Sequence, residues 1–227
     1  FKTQHKSAPF QQIQTANFIP ALELEITKTL EEIVHICSNP ETPTFGNTLE
    51  SLEKSGEQLG IISGILFNLN SAETSNELQE VTQKVAPLLT KFQNDVRLNK
   101  VLFDRIKYIF DIKETLGLDP EQLTLIEKEY KGFVRNGALM SPEDKDKLRL
   151  IDTELAQLSL SFGEHVLADS QAFELYLTDK KQLDGLPETS IAQAEALAKE
   201  KNKDGWIFTL DYPSYVPFVT YADDREL

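Results

Sequence analysis

Few side chains in this sequence are spaced for chemistry. The histidines are His5, His35 and His165. No His-Glu-x-x-His run is present, so the usual helical zinc-protease site, two imidazoles one turn apart with a carboxylate base, has no counterpart. Glu32-x-x-His35 fits one half of a di-iron carboxylate site. Such a site needs a second Glu-x-x-His and two further glutamates from facing helices. His165 is preceded three residues earlier by Phe162, so the second half is missing. Near the end of a helix His165 reads as a cation favoured by the helix dipole. Cys37 is the only cysteine, which rules out an internal disulfide. It shares a helical stripe with Ile33 and Val34 and reads as a buried structural thiol. No Gly-rich phosphate loop follows a strand, and there is no Gly-x-Ser-x-Gly elbow. Carboxylates abound, yet no pair stands out as acid and base. No residue is therefore assigned a catalytic, cofactor-binding or metal role. Tyr212, Tyr215, Phe218 and Tyr221 could line a peptide groove or pack against another part of a larger protein.

The elements that would position such residues are mostly helical. A first helix is predicted from Phe18, with Pro20 in its first turn and Leu22, Ile26, Leu30, Ile33, Val34 and Cys37 as its stripe. "SNPETPT", residues 38–44, breaks it. A second helix is predicted over 45–69, where Gly56, Gly60 and Gly64 recur on one face. Each costs roughly 1 kcal/mol against Ala, which suggests close approach of a neighbouring helix. Thr74-x-x-Glu77 reads as a capping box opening a third helix, which Pro87 should kink or end early. Its stripe is Leu78, Val81, Val85, Leu88, Phe92 and Val96. Asn99 caps a fourth, with Val101, Leu102, Ile106, Ile109 and Phe110 buried. Asp119-Pro120 starts a fifth, carrying Leu123, Ile126, Tyr130, Phe133 and Val134.

Ser141 caps a long sixth helix with Leu148, Ile151, Leu155, Leu158, Phe162 and Val166 three or four apart, the clearest amphipathic signal in the chain. The pattern then changes. "AFELYL" alternates as a strand, 188–201 is an Ala-rich helix, and "WIFTL" is a second strand that should pair with the first. The expected fold is mainly α: six or more antiparallel-packed helices, then a small two-stranded β element with an inserted helix. The expected domains are a helical lobe over 1–168 and a strand-helix-strand segment over 169–227. Residues 1–16 read as an extended arm.

The formal charge of −14, from 23 basic and 37 acidic residues, repels phosphate backbones and argues against nucleic acid as a partner. The longest nearly continuous apolar run, "GIISGILFNL" at 60–69, is too short for a bilayer, which needs about 20 residues. Neither nucleic acid nor membrane is expected as a partner.

Several stretches together resemble one family. "NPETPTFGNTLESLEKSG" (39–56), "FNLNSAETSNELQ" (67–79), "FVRNGALMSPEDKDKLRLIDTELAQLSLSF" (133–162), "LYLTDKKQLDGLPE" and "GWIFTLDYPSYVPFVTYADDREL" are similar, in order, to the N-terminal part of the thimet oligopeptidase-like zinc metallopeptidases, of the oligopeptidase A and peptidyl-dipeptidase Dcp type. Gly46 departs from an acidic residue common there. The resemblance implies a largely helical protein of two lobes flanking a deep channel. It implies short peptides as substrates, and a zinc held by an HExxH motif in a C-terminal catalytic lobe that this chain lacks. The chain would then be an inactive N-terminal lobe that walls the channel and packs against its own catalytic lobe. The expected compartment is the cytoplasm, or the periplasm if a leader has been removed. The aromatic surface of 212–221 should lie exposed where that lobe would sit. The alternative is a free-standing helical protein–protein interaction module.

Overall fold

A computed structural model describes Thr3 and residues 7–227; His5 lies outside the described residues. The chain is mainly α, with one small antiparallel sheet. It divides into two compact units, the first ending at Leu158 and the second running Ser159–Leu227.

The first unit is built around α1, Phe18–Ser38. Two short 3-10 turns, Phe10–Gln12 and Thr15–Asn17, precede it where an extended arm was expected. Its N-terminal half packs Phe18 and Leu22 with Leu59 and Leu66 of α3 (Glu57–Ala72) and Leu78, Val81 and Val85 of α4 (Asn76–Arg97). Its C-terminal half packs Ile33 and Ile36 with Leu102, Phe103, Ile106 and Ile109 of α5 (Lys100–Ile112) and Ile126 and Phe133 of α6 (Pro120–Arg135). Aromatic stacking ties α5 to α6, with Phe110 and Tyr130 rings 3.9 Å apart and nearly parallel. The stripes are mostly as read, but Val34 and Val101 are exposed, and Thr29 and Ile36 take the inner positions on α1.

Several local expectations are corrected. The predicted helix over 45–69 is three pieces. A wide π-type turn, Phe45–Glu50, leads into the short α2, Ser51–Lys54, and α3 begins only after Gly56. Gly56 adopts a left-handed backbone (φ 72°), which breaks the helix and favours glycine. A Cβ there would also meet Thr29 Cγ2 at 3.0 Å, whereas Gly60 and Gly64 face open space. Close approach therefore holds at Gly56 alone. The cap of α4 is Ser75, whose Oγ accepts from the Leu78 amide at 3.2 Å, not Thr74. α4 also runs through Pro87 to Arg97 without ending early. Asn99 and Asp119 cap α5 and α6 as expected, at 3.0 and 2.9 Å.

The long helix α7, Pro142–Ala172, has no fully buried residue. Its predicted stripe is the largest departure: Ile151, Leu155, Leu158, Phe162 and Val166 are all exposed.

In the second unit β1 (Leu175–Leu177) pairs antiparallel with β2 (Trp206–Phe208), placing Leu175 opposite Phe208 and Leu177 opposite Trp206. α8, Glu188–Glu200, is the inserted helix. α9, Tyr212–Tyr221, starts with Pro213 in its first turn. Leu177, Leu183, Leu186, Ala194, Phe208 and Phe218 form the core. Gly185, at φ 88°, lets the chain pass against the Tyr221 carbonyl, and the Asp223 amide donates to Asp184 O at 3.0 Å.

Candidate functional site

The candidate site is a surface groove in the first unit, about 690 Å³ in volume, between the C-terminal half of α1 and the segment 39–55. Glu32 and His35 rise from the solvent face of α1, and Asn47, Ser51, Lys54 and Ser55 form the opposite wall. Pro40 and Pro43 bracket a stretch that cannot continue α1, so the chain turns back and places this wall.

Arg105 holds that wall from beneath. It sits on the apolar face of α5, between Leu102, Ile106 and Ile109, and is 7 % exposed. Its guanidinium donates to Asn47 Oδ1 (3.0 Å), Thr48 Oγ1 (3.3 Å) and Asn39 O (2.9 Å), and reaches Glu41 O at 3.5 Å. A planar fork can serve several carbonyl-type oxygens at once. Asn47 does double duty, because its Oδ1 also accepts from the Thr44 amide at 2.8 Å while its Nδ2 donates to Thr42 O at 3.0 Å. The "NPETPTFGNT" run is thus a loop wound around one buried arginine. Nothing in the sequence reading singled out Arg105. The signal was a lone cation at the centre of the stripe Leu102-x-x-Arg105-Ile106-x-x-Ile109.

The groove's own polar groups are largely committed. Glu32 Oε2 accepts from the Gly56 amide at 3.1 Å, and Lys54 pairs with Glu50 at 2.7 Å. Ser38, Ser51 and Ser55 each donate to a backbone carbonyl, of His35, Gly46 and Leu52. These hydroxyls therefore stitch turns rather than face a base. Cys37 is half-buried; burial pushes its thiol up, against a smaller opposing pull from Arg105. Its Sγ lies 4.0 Å from Asn99 Oδ1. Among the described residues no three His, Cys, Asp or Glu side chains gather as a cation site. Among the groove-lining residues the arrangement assembles no nucleophile, base and electrophile.

Elsewhere, His165 lies exposed in α7. Tyr212, Tyr215 and Tyr221 are exposed, Tyr212 by 77 %, while Phe218 turns inward against Phe208 with ring centroids 4.7 Å apart. The expected exposed aromatic surface is present, with Phe218 excepted. No helix among the described residues is long and apolar enough to cross a membrane.

Comparison with known proteins gives the site its context. Residues 16–147 match the N-terminal domain of the neurolysin/thimet oligopeptidase family. Dipeptidyl carboxypeptidase of Escherichia coli (strain K12) is 35 % identical over 217 residues, covering 95 % of this chain and 32 % of that protein. Dipeptidyl carboxypeptidase of Salmonella typhimurium is 32 % identical, covering 98 % of this chain and 33 % of its own length. Oligopeptidase A of Escherichia coli is 27 % identical over 225 residues, covering 99 % of this chain and 33 % of that protein. The chain spans about a third of the length of the curated relatives it matches.

Proposed function

Because the chain belongs to the neurolysin/thimet oligopeptidase family, as its N-terminal region, we propose that it is the non-catalytic lobe of a peptidase that hydrolyses short peptides. The relatives it resembles are peptidases by name, dipeptidyl carboxypeptidases and oligopeptidases A. The observation that carries the reading is the match of residues 16–147 to the N-terminal domain of that family.

The residues present do not fit a catalytic zinc, since the sequence holds no HExxH and no ligand cluster forms among the described residues. On this reading the hydrolytic metal, zinc by the family resemblance, would be held by residues outside this chain. This lobe contributes shape. A helical wall beside the catalytic centre admits an extended peptide and excludes a folded one, which is steric selection rather than bond making. The groove lined by Glu32, His35, Asn47 and Ser55 is an open surface that a peptide backbone could follow.

The test uses the full-length polypeptide that contains these residues. It should cleave short unstructured peptides and leave the same sequence intact inside a stably folded protein. Equal cleavage of both would remove the walling role, and cleavage of neither would remove the peptidase reading. The alternative, a free-standing interaction module, draws on the exposed apolar face of α7. A reading frame that stops at Leu227 would favour it.

A further inference from the structure

The sequence contains one Asn-Gly pair, Asn136-Gly137, and it closes α6. The Gly137 amide donates to Val134 O at 3.2 Å and the Ala138 amide to Phe133 O at 3.0 Å, the paired bonds of a helix that stops on a left-handed residue. Gly137 supplies that residue, at φ 88°. A Cβ there would also meet Leu148 Cδ2 and Met140 Sδ at 2.8 Å. The fold therefore requires glycine twice over, by backbone and by space. Asn136 precedes it on the surface, and its Nδ2 donates to Gly132 O at 2.8 Å.

That glycine has a chemical consequence. The side-chain amide of an asparagine is attacked most readily by the backbone nitrogen of a following glycine, because no side chain shields that nitrogen or restrains the backbone from turning toward it. In the intact turn the attack is blocked. The Gly137 N–H is engaged with Val134 O and the Asn136 amide with Gly132 O. With ψ of Asn136 at 19°, the Gly137 nitrogen also stands away from the eclipsed position over Cβ that ring closure needs.

We propose that Asn136 is a hydrolytic modification site gated by this turn. When the last turn of α6 opens, Gly137 N bonds to Asn136 Cγ, the Cγ–Nδ2 bond breaks, and Nδ2 leaves as ammonia with the proton shed by the Gly137 amide. Water then opens the cyclic imide. Breaking the bond from Gly137 N to Cγ leaves aspartate in a normal backbone. Breaking the bond from Gly137 N to the Asn136 carbonyl carbon leaves isoaspartate, with the backbone routed through the side chain. Neither product restores the turn. A carboxylate in place of the amide faces Gly132 O acceptor to acceptor and adds a negative charge at a helix C-terminus. Isoaspartate also lengthens the main chain ahead of Ala138, which is buried in the same core cluster as Phe133. The modification converts a transient opening into a lasting one.

Ageing of the full-length polypeptide in mildly alkaline buffer, with and without guanidinium, tests the site. Mass spectrometry reads conversion from the amide-to-acid mass gain, and isoaspartate peptides elute separately. In denaturant Asn136 should convert faster than any other asparagine of residues 1–227. In the native protein it should convert at least ~10-fold more slowly than in denaturant, since reaction must wait for local opening. Equal rates in the two conditions overturn the gate, and another asparagine converting faster in denaturant overturns the site. Asn136→Asp carries the proposed product. Its Gly137 and Ala138 amides should exchange hydrogen at least ~5-fold faster than in the parent sequence, from a lost hydrogen bond and an unfavourable end charge together. Unchanged exchange overturns the claim that the product holds the turn open.

Discussion

Arg105 is the side chain on which the local architecture turns. A buried guanidinium is retained only where its donors are met, and here the acceptors are neutral oxygens of the loop 39–48. Arg105→Met keeps much of the volume and removes every donor. It should lower unfolding stability by ~2–4 kcal/mol, since several buried oxygens lose their partner together. Arg105→Lys should recover little, because a single ammonium cannot span Asn39 O, Asn47 Oδ1 and Thr48 Oγ1. Denaturant titration checks both; a loss below ~0.5 kcal/mol in Arg105→Met, the range of a plain surface change, would show that the loop holds without it. A second residue-scale prediction concerns Glu174. Hydrogen bonds from Lys201 and Lys203 hold its carboxyl below the usual range. A lowered folded-state value means that the pairing contributes fully above the ordinary carboxylate range, near pH ~4.3, and is lost as pH falls through the folded value. Glu174→Gln should therefore lower the melting temperature at pH 7, and the gap should close as pH falls through the lowered folded-state value. The gap at pH 7 should shrink in high salt, because the groups are reachable by solvent. A gap that persists unchanged at low pH would contradict this.

At the scale of elements, glycine separates what spacing can and cannot say. Gly56, Gly60 and Gly64 are equivalent by position in a helical reading, yet only Gly56 has a left-handed backbone and a close neighbour in Thr29. Gly56→Ala should destabilise by ~1–2 kcal/mol, since it combines backbone strain with the Thr29 clash. Gly60→Ala should stabilise by ~0.5–1 kcal/mol, as an exposed helix interior gains from a residue with less freedom to lose. Thermal melts of the two variants check the sign, and a loss of stability in Gly60→Ala would contradict the open space seen beside it. Most elements were legible in the sequence because local chemistry sets them. Asn99 and Asp119 bond the amides three residues on; alternation in "AFELYL" located β1, although α7 runs to Ala172 and the strand covers only Leu175–Leu177, and the apolar run "WIFTL" located β2. The break at Gly56 was not legible, because a left-handed glycine and a helical glycine are the same letter. The continuity of α4 through Pro87 was hidden for a related reason: packing of Leu78, Val81 and Val85 on one side and Val96 on the other holds the helix across the residue that should interrupt it. The groove was illegible because its walls come from α1 and the 39–55 loop, joined by an arginine on α5. Such long-range pairing leaves only a misplaced cation as its local trace. α7 shows the reverse case. Its periodicity was the plainest in the chain, but periodicity reports which residues share a helix face, not whether that face is covered.

At the scale of the whole molecule, the chain is mainly helical, and each of its two units has its own apolar packing. It belongs to a peptidase family as the N-terminal region and spans about a third of its curated relatives. The tyrosines Tyr212, Tyr215 and Tyr221 of α9 are exposed, as the sequence reading expected. The division of labour between lobes is the central claim, and hydrolysis of a short fluorogenic peptide tests it most directly, measured in parallel on residues 1–227 and on the full-length polypeptide with bound zinc quantified in both. The full-length polypeptide should turn over the peptide and carry stoichiometric zinc, and residues 1–227 should do neither. Peptide turnover or stoichiometric zinc in residues 1–227 alone, or the absence of turnover in the full-length polypeptide, would contradict it.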